Sequence, residues 1–147
     1  MPKNLIVCIV LSLSLISVTN CAQRPGNPDA DQASGTGQKT KGEVLVTNQL
    51  DIDFSQHLIT FIELGADRCI PCKAMQPIMK EIAETYADRI QVIFYDVWKD
   101  PKPAEKYGIQ LIPTQVFIDQ KGNEVFRHVG LFPKAEILEL LKKHGVH

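Results

Sequence analysis

Between residues 58 and 86 the hydrophobic pattern changes period once, and that change fixes most of what the chain can fold into. Leu58-Ile59-Thr60-Phe61-Ile62-Glu63-Leu64 is a near-continuous apolar run, the pattern of a strand covered on both faces. Met75, Ile78, Met79, Ile82 and Tyr86 then recur at spacings that put them on one face of a helix. A buried strand feeding an amphipathic helix predicts an α/β domain. At the junction stands Cys69-Ile70-Pro71-Cys72. Cys69 is thereby placed at or near a helix N-terminus. Unpaired N–H groups and the positive end of the helix dipole there favour a thiolate over a thiol. The thiolate is the form that attacks disulfides.

The pattern extends in both directions. Glu43 to Thr47 predicts a first strand, and Asp51 to His57 is compatible with a single helical turn. After the helix over Cys69 to Ala87, Gln91 to Asp96 predicts the next strand. Pro103 to Tyr107 reads as a short helix stopped by Gly108. Thr114 to Ile118 and Glu124 to His128 flank a turn at Asp119 to Asn123, which predicts a hairpin. A last helix is expected over Lys134 to His144, with Ile137, Leu138, Leu140 and Leu141 inward. The order β-α-β-α-β-β-α predicts an α/β sandwich whose mixed central sheet has four to five strands flanked by helices. Residues 43–147 are the right size for one such domain.

What precedes that domain reads differently. Residues 1–20 carry Lys3 and then a charge-free apolar stretch from Leu5 to Val18, the pattern of an export signal. That stretch is short for a spanning helix, which needs roughly 20 residues. Cys21 follows at once, and Val18-Thr19-Asn20-Cys21 resembles a bacterial lipoprotein signal, in which the cysteine is lipidated and becomes the first mature residue. Asn20 stands where Gly, Ala or Ser is usual, and Val18 where Leu is usual. The competing reading is ordinary cleavage near Ala22, which releases a soluble protein. Residues 21–42 are almost free of apolar side chains and read as a flexible linker. A formal net charge of −1 gives no bulk case for nucleic acid as a partner.

Over residues 58–142 the chain resembles the thioredoxin family. Cys69-Ile70-Pro71-Cys72-Lys73 looks like the family's redox motif. Pro77 matches its helix-kinking proline, and Lys106-Tyr107-Gly108-Ile109 with Ile112-Pro113-Thr114 looks like the segment leading to its cis-proline. Lys121-Gly122 fits the hairpin turn, and Gly130 with Pro133-Lys134 fits the approach to the last helix. The chain departs from the family where Arg68 replaces a Trp, Glu63 replaces an Asp, and Ile70-Pro71 replaces Gly-Pro.

The resemblance implies a thiol–disulfide oxidoreductase that needs no cofactor. Cys69 is expected to be the exposed attacking nucleophile, its pKa lowered further by Arg68. Cys72, one turn into the helix, is expected to resolve the mixed disulfide. Glu63, a carboxylate inside an apolar strand, should have a raised pKa and is read as the proton acceptor for Cys72. Its alternative is a partly exposed carboxylate at a strand end. Pro113 is expected to be cis, leaving the Ile112 backbone free to pair with an extended substrate. Ile70 and Pro71, with Arg68, are the tuning positions. Trp98 reads as a rim aromatic, and Leu131 and Phe132 as an apolar lip or as ordinary packing. Zinc needs four ligands, and His57, His128, His144 and His147 show no paired spacing, so no metal site is expected.

The expected activity is reduction of protein disulfides outside the cytoplasm, in the bacterial periplasm. A lipid on Cys21 would hold the protein at the membrane, and a membrane electron donor would recharge it. Ile112 before Pro113 resembles the reducing members of the family. Two alternatives stand. One is a disulfide-forming oxidase, which Arg68 beside Cys69 would favour. The other is a non-catalytic binding or metal-handling module with a static Cys69–Cys72 pair.

Overall fold

The computed structural model describes residues 41–147. The export signal at 1–20, the candidate lipidation site Cys21 and the linker up to residue 40 lie outside the described residues. Lys41, at the end of the expected linker, pairs with Asp88.

Five strands form one mixed sheet: β1 (Val44–Val46), β2 (Ile59–Gly65), β3 (Ile90–Asp96), β4 (Thr114–Asp119) and β5 (Glu124–Val129), in the order β1-β3-β2-β4-β5. β1, β3 and β2 run parallel, whereas β4 is antiparallel to β2 and β5 to β4. The helices are α1 (Ile70–Thr85), α2 (Lys102–Tyr107) and α3 (Lys134–Lys143), with a 3-10 turn at Phe54–Gln56.

β2 and β3 occupy the centre, and every residue of both is buried. This is why they read as apolar runs rather than as alternations. Odd-numbered β2 positions face α1 and α3. There Ile59 and Phe61 pack with Met75, Met79, Ile82, Phe117, Ile137 and Leu141. Phe61 and Phe117, opposed in the β2–β4 register, stack at 4.6 Å. Even-numbered positions Ile62 and Leu64 face the other way, with Ile93, Tyr95, Val116 and the half-buried Tyr107 of α2. The hairpin turn is held by the Asp119 carboxylate, which accepts from the Lys121 and Asn123 amides, and Gly122 takes the left-handed conformation the turn requires.

The boundaries differ from the expected ones for local reasons. α1 begins at Ile70, because Cys69 has extended backbone angles and serves as its N-cap, its Sγ accepting from the Cys72 N–H at 3.3 Å. α1 ends at Thr85 rather than Ala87, since the Arg89 and Ile90 amides turn back onto the Tyr86 carbonyl and start β3. α2 starts one residue early, at Lys102, and stops where Gly108 adopts a left-handed conformation. α3 ends at Lys143, with His144 as its cap. The first strand shrinks from five residues to three, and as an edge strand it pairs only with β3. Of the four α3 side chains expected inward, Ile137 and Leu141 are buried, while Leu138 and Leu140 are half-buried against the core margin.

Candidate active site

The C-terminal end of β2 delivers the chain to the disulfide. Ala66 accepts a hydrogen bond from the Cys69 N–H at 3.1 Å, making a tight turn between strand and helix. Cys69 and Cys72 are joined by a disulfide with a Cα–Cα separation of 5.2 Å. Pro71 lies in the first turn of α1, where its missing N–H would have no partner in any case. Pro77 lies inside the same helix, where it cannot donate to the Lys73 carbonyl.

Cys69 was expected to be exposed, but in this oxidised form it keeps only 8% of its surface, against 1% for Cys72. The order of accessibility is the expected one. The low figure for Cys69 follows from its sulfur being bonded to Cys72 and packed with Ala66 and Ile112. The residues around it are open: Ile70 is 82% exposed, and Pro71 and Arg68 are exposed as well.

Across from the disulfide, the Ile112–Pro113 peptide bond is cis. The loop is fixed from three directions. Ile112 packs against the cysteine cluster, Thr114 Oγ1 donates to the Leu111 carbonyl at 2.6 Å, and the Gly130 N–H donates to the Pro113 carbonyl at 2.8 Å. Ile112 lies just outside the strand ladders, which begin at Thr114.

Beneath the disulfide the sheet carries Glu63, fully buried. Glu63 shares a face of β2 with Gly65, and Gly65 touches the disulfide. A Cβ on Gly65 would stand 3.2 Å from the Cys72 sulfur and 3.0 Å from the Phe94 ring. A side chain here would require the Phe94 ring and Cys72 to give way by a few tenths of an ångström. In register, Glu63 is flanked by Phe94 on β3 and Gln115 on β4. Burial pushes the Glu63 carboxyl up to about 8, and the neighbouring Gln115 amide opposes the rise. The amide is near enough to act on the charge, yet neither carboxyl oxygen nor either amide atom closes a hydrogen bond of ordinary geometry. The expectation of a raised pKa therefore has its cause in burial, and the reading of Glu63 as a partly exposed strand-end group falls.

Three residues of this site escaped the sequence reading: Gly65, Gln115 and Asp96. Asp96 ends β3 and orders the segment before Cys69. Its carboxylate accepts from the Asp67 N–H at 3.3 Å, the Trp98 N–H at 3.1 Å and the Lys99 N–H at 3.3 Å, and it pairs with Lys99 Nζ at 3.2 Å. Lys99 also pairs with Asp67. Burial pushes the Asp96 carboxyl up, but the Lys99 side chain and the three backbone amides outweigh it and hold the group below its ordinary value. A polar residue inside or at the end of an otherwise apolar strand was the available signal for both Gln115 and Asp96. Trp98 is a surface aromatic, 61% exposed. The Leu131–Phe132 pair divides: Leu131 is half-exposed, and Phe132 is buried against Phe117, Phe126 and His128. Among the described residues no group of His, Cys, Asp or Glu is placed to hold a metal ion.

The thioredoxin family model matches residues 42–143. Thioredoxins from several strains of Staphylococcus aureus are 32% identical over 104 residues, which cover 69% of this chain and 99% of theirs. Among solved structures, a mutant thioredoxin from Halobacterium salinarum superposes with a TM-score of 0.63 at 26% identity, covering 74% of this chain and 96% of that one. The thioredoxin of Malassezia sympodialis gives a TM-score of 0.61 at 25% identity, covering 70% and 91%.

Proposed function

This chain belongs to the thioredoxin family and is a thiol–disulfide oxidoreductase with its redox pair at Cys69 and Cys72; from that premise we propose that it reduces protein disulfides outside the cytoplasm, tethered by a lipid on Cys21 and recharged by a membrane electron donor. The observation that carries the reading is the disulfide at the N-terminus of α1, with cis-Pro113 and Ile112 packed beside it.

In the reduced form the Cys69 thiolate attacks one sulfur of a substrate disulfide. A Cys69–substrate bond forms, the substrate S–S bond breaks, and the first substrate thiolate leaves and takes a proton from solvent. Cys72 then gives its proton to the Glu63 carboxylate and attacks the Cys69 sulfur. The Cys69–Cys72 bond forms as the Cys69–substrate bond breaks, and the second substrate thiolate leaves and is protonated through solvent at the expense of Glu63, which returns to the carboxylate. The substrate has gained two electrons and the protein has lost two, which an external dithiol must restore. Glu63 lies roughly 7 Å along the strand from Gly65, so water carries the proton between Cys72 and the carboxyl. A carboxyl that titrates at about 8 is well matched to proton exchange with a thiol near neutral pH.

A polypeptide partner is supported by the apolar side chains at this end of the sheet. Ile70 and Leu111 are largely exposed, and Ile112 has backbone outside the ladders for an extended segment to pair with. The reducing direction is supported by Ile112 preceding cis-Pro113. Equilibration of the Cys69–Cys72 couple in glutathione buffers tests it. The expected potential is near −270 mV, and a value near −120 mV would instead make the protein an oxidase.

The tether is supported by the cysteine directly after an export-type apolar stretch and by the linker that follows it. Detergent partitioning of the exported protein is expected to place the wild type in the detergent phase and the Cys21→Ala variant in the aqueous phase. Recovery of both in the aqueous phase would remove the anchor from the account.

A further inference from the structure

Glu63 and Gln115 are directly opposed in the β2–β4 register, and both are completely buried. All four of their terminal polar atoms are without a hydrogen-bond partner among the described residues. Two adjacent side chains with complementary chemistry, each missing what the other carries, are a pair awaiting a rotation. Burying either one alone would be strongly unfavourable. The amide also has a property no apolar neighbour could supply. It holds a donor and an acceptor on one group, so a half-turn about its last torsion exchanges them.

We propose that Gln115 is the positioning residue for Glu63, its side-chain N–H donating to the carboxylate before the Cys72 proton arrives and its carbonyl accepting from the carboxylic acid afterwards. The amide thereby stabilises both protonation states in turn and keeps the carboxyl aimed towards Cys72. The inference rests on the reading of Glu63 as the proton acceptor. No second polar side chain flanks Glu63 along the ladder, since its β3 neighbour is Phe94. The titratable groups on the same face are few. Cys72 reaches it from α1, beside Gly65. Asp96 lies two positions beyond Phe94 and is engaged by Lys99 and the loop amides. His128 on β5 opposes Gln115, stacks on Phe132 and approaches the Leu131 carbonyl through Nε2. α3 adds Ile137 and Leu141 to this core and no buried charge.

The test is carboxyl-detected NMR titration of Glu63 in the oxidised full-length chain, wild type against Gln115→Met, which keeps the length and removes the amide. The amide's bond to the charged carboxylate is stronger than its bond to the neutral acid, so losing both is expected to raise the Glu63 midpoint by roughly one pH unit. The pH profile of substrate release in single turnover should move with it. In the wild type, the Gln115 side-chain amide resonances should titrate with the same midpoint as Glu63, a readout that requires no variant to fold. An unmoved Glu63 midpoint, or Gln115 resonances indifferent to it, would overturn the pairing. A moved midpoint with an unmoved release profile would instead overturn the role given to Glu63, and with it the catalytic use of the pair.

Discussion

The Glu63→Gln variant should lose the pH dependence of stability that the buried carboxyl imposes, and should release substrate slowly. In the unfolded chain the group titrates near 4.5, in the folded protein near 8. Below 4.5 both states hold the proton and the group contributes nothing to the difference. Between 4.5 and 8 the unfolded chain has given up a proton that the native state keeps, so stability falls as pH rises. Above 8 the full penalty remains, with an upper limit of roughly 4–5 kcal/mol. The amide carries no such slope. Denaturation of the oxidised protein should therefore find the variant within about 1 kcal/mol of the wild type at pH 4 and several kcal/mol more stable at pH 9. Parallel stability curves across that range would contradict the burial-driven shift. In single turnover the first attack should be retained and release slowed on the order of 10²-fold, the scale of a lost general base. Equal release rates would remove Glu63 from proton transfer. Stability and rate thus pull in opposite directions at one residue, as expected where a buried charge is kept for chemistry.

Removing either cysteine should abolish turnover, but the two losses have different origins. With Cys69→Ala there is no group to open the substrate disulfide, because Cys72 keeps 1% of its surface and lies under the first turn of α1. With Cys72→Ala the first exchange proceeds and then stops, since nothing remains to displace the substrate from Cys69. Multiple-turnover reduction of a protein disulfide should fall to background in both variants, while one equivalent of thiol should still be released by Cys72→Ala alone.

The parts of the fold that were legible in the sequence are those whose cause is local. β2 and α1 announce themselves because one is buried on both faces and the other on one. Gly108 stops α2 because a left-handed residue ends a helix wherever it occurs. The cysteines and the helix cap come from four consecutive residues. The sheet order β1-β3-β2-β4-β5 has no such local cause, since it depends on which strands meet after the α1 crossover. The same distinction divides the site. Glu63 stands out as an acid within an apolar run. Gln115 gains its meaning only from the register that sets it against Glu63, and Asp96 only from the Asp67 amide 29 residues earlier. Gly65 follows the apolar run with nothing in the sequence to mark it. Its role is steric, visible once the Cys72 sulfur is seen 3.2 Å from where its Cβ would be. Arg68 and Ile70, the departures nearest the disulfide, are both exposed.

The proposed activity depends most directly on the division of labour between the two sulfurs. Mass spectrometry of covalent adducts formed by Cys72→Ala and by Cys69→Ala, each reduced and then mixed with a protein disulfide, measures it. Cys72→Ala should accumulate a stoichiometric mixed disulfide mapped to Cys69, and Cys69→Ala should yield none. Equal adducts from both variants, or adducts from Cys69→Ala alone, would contradict it.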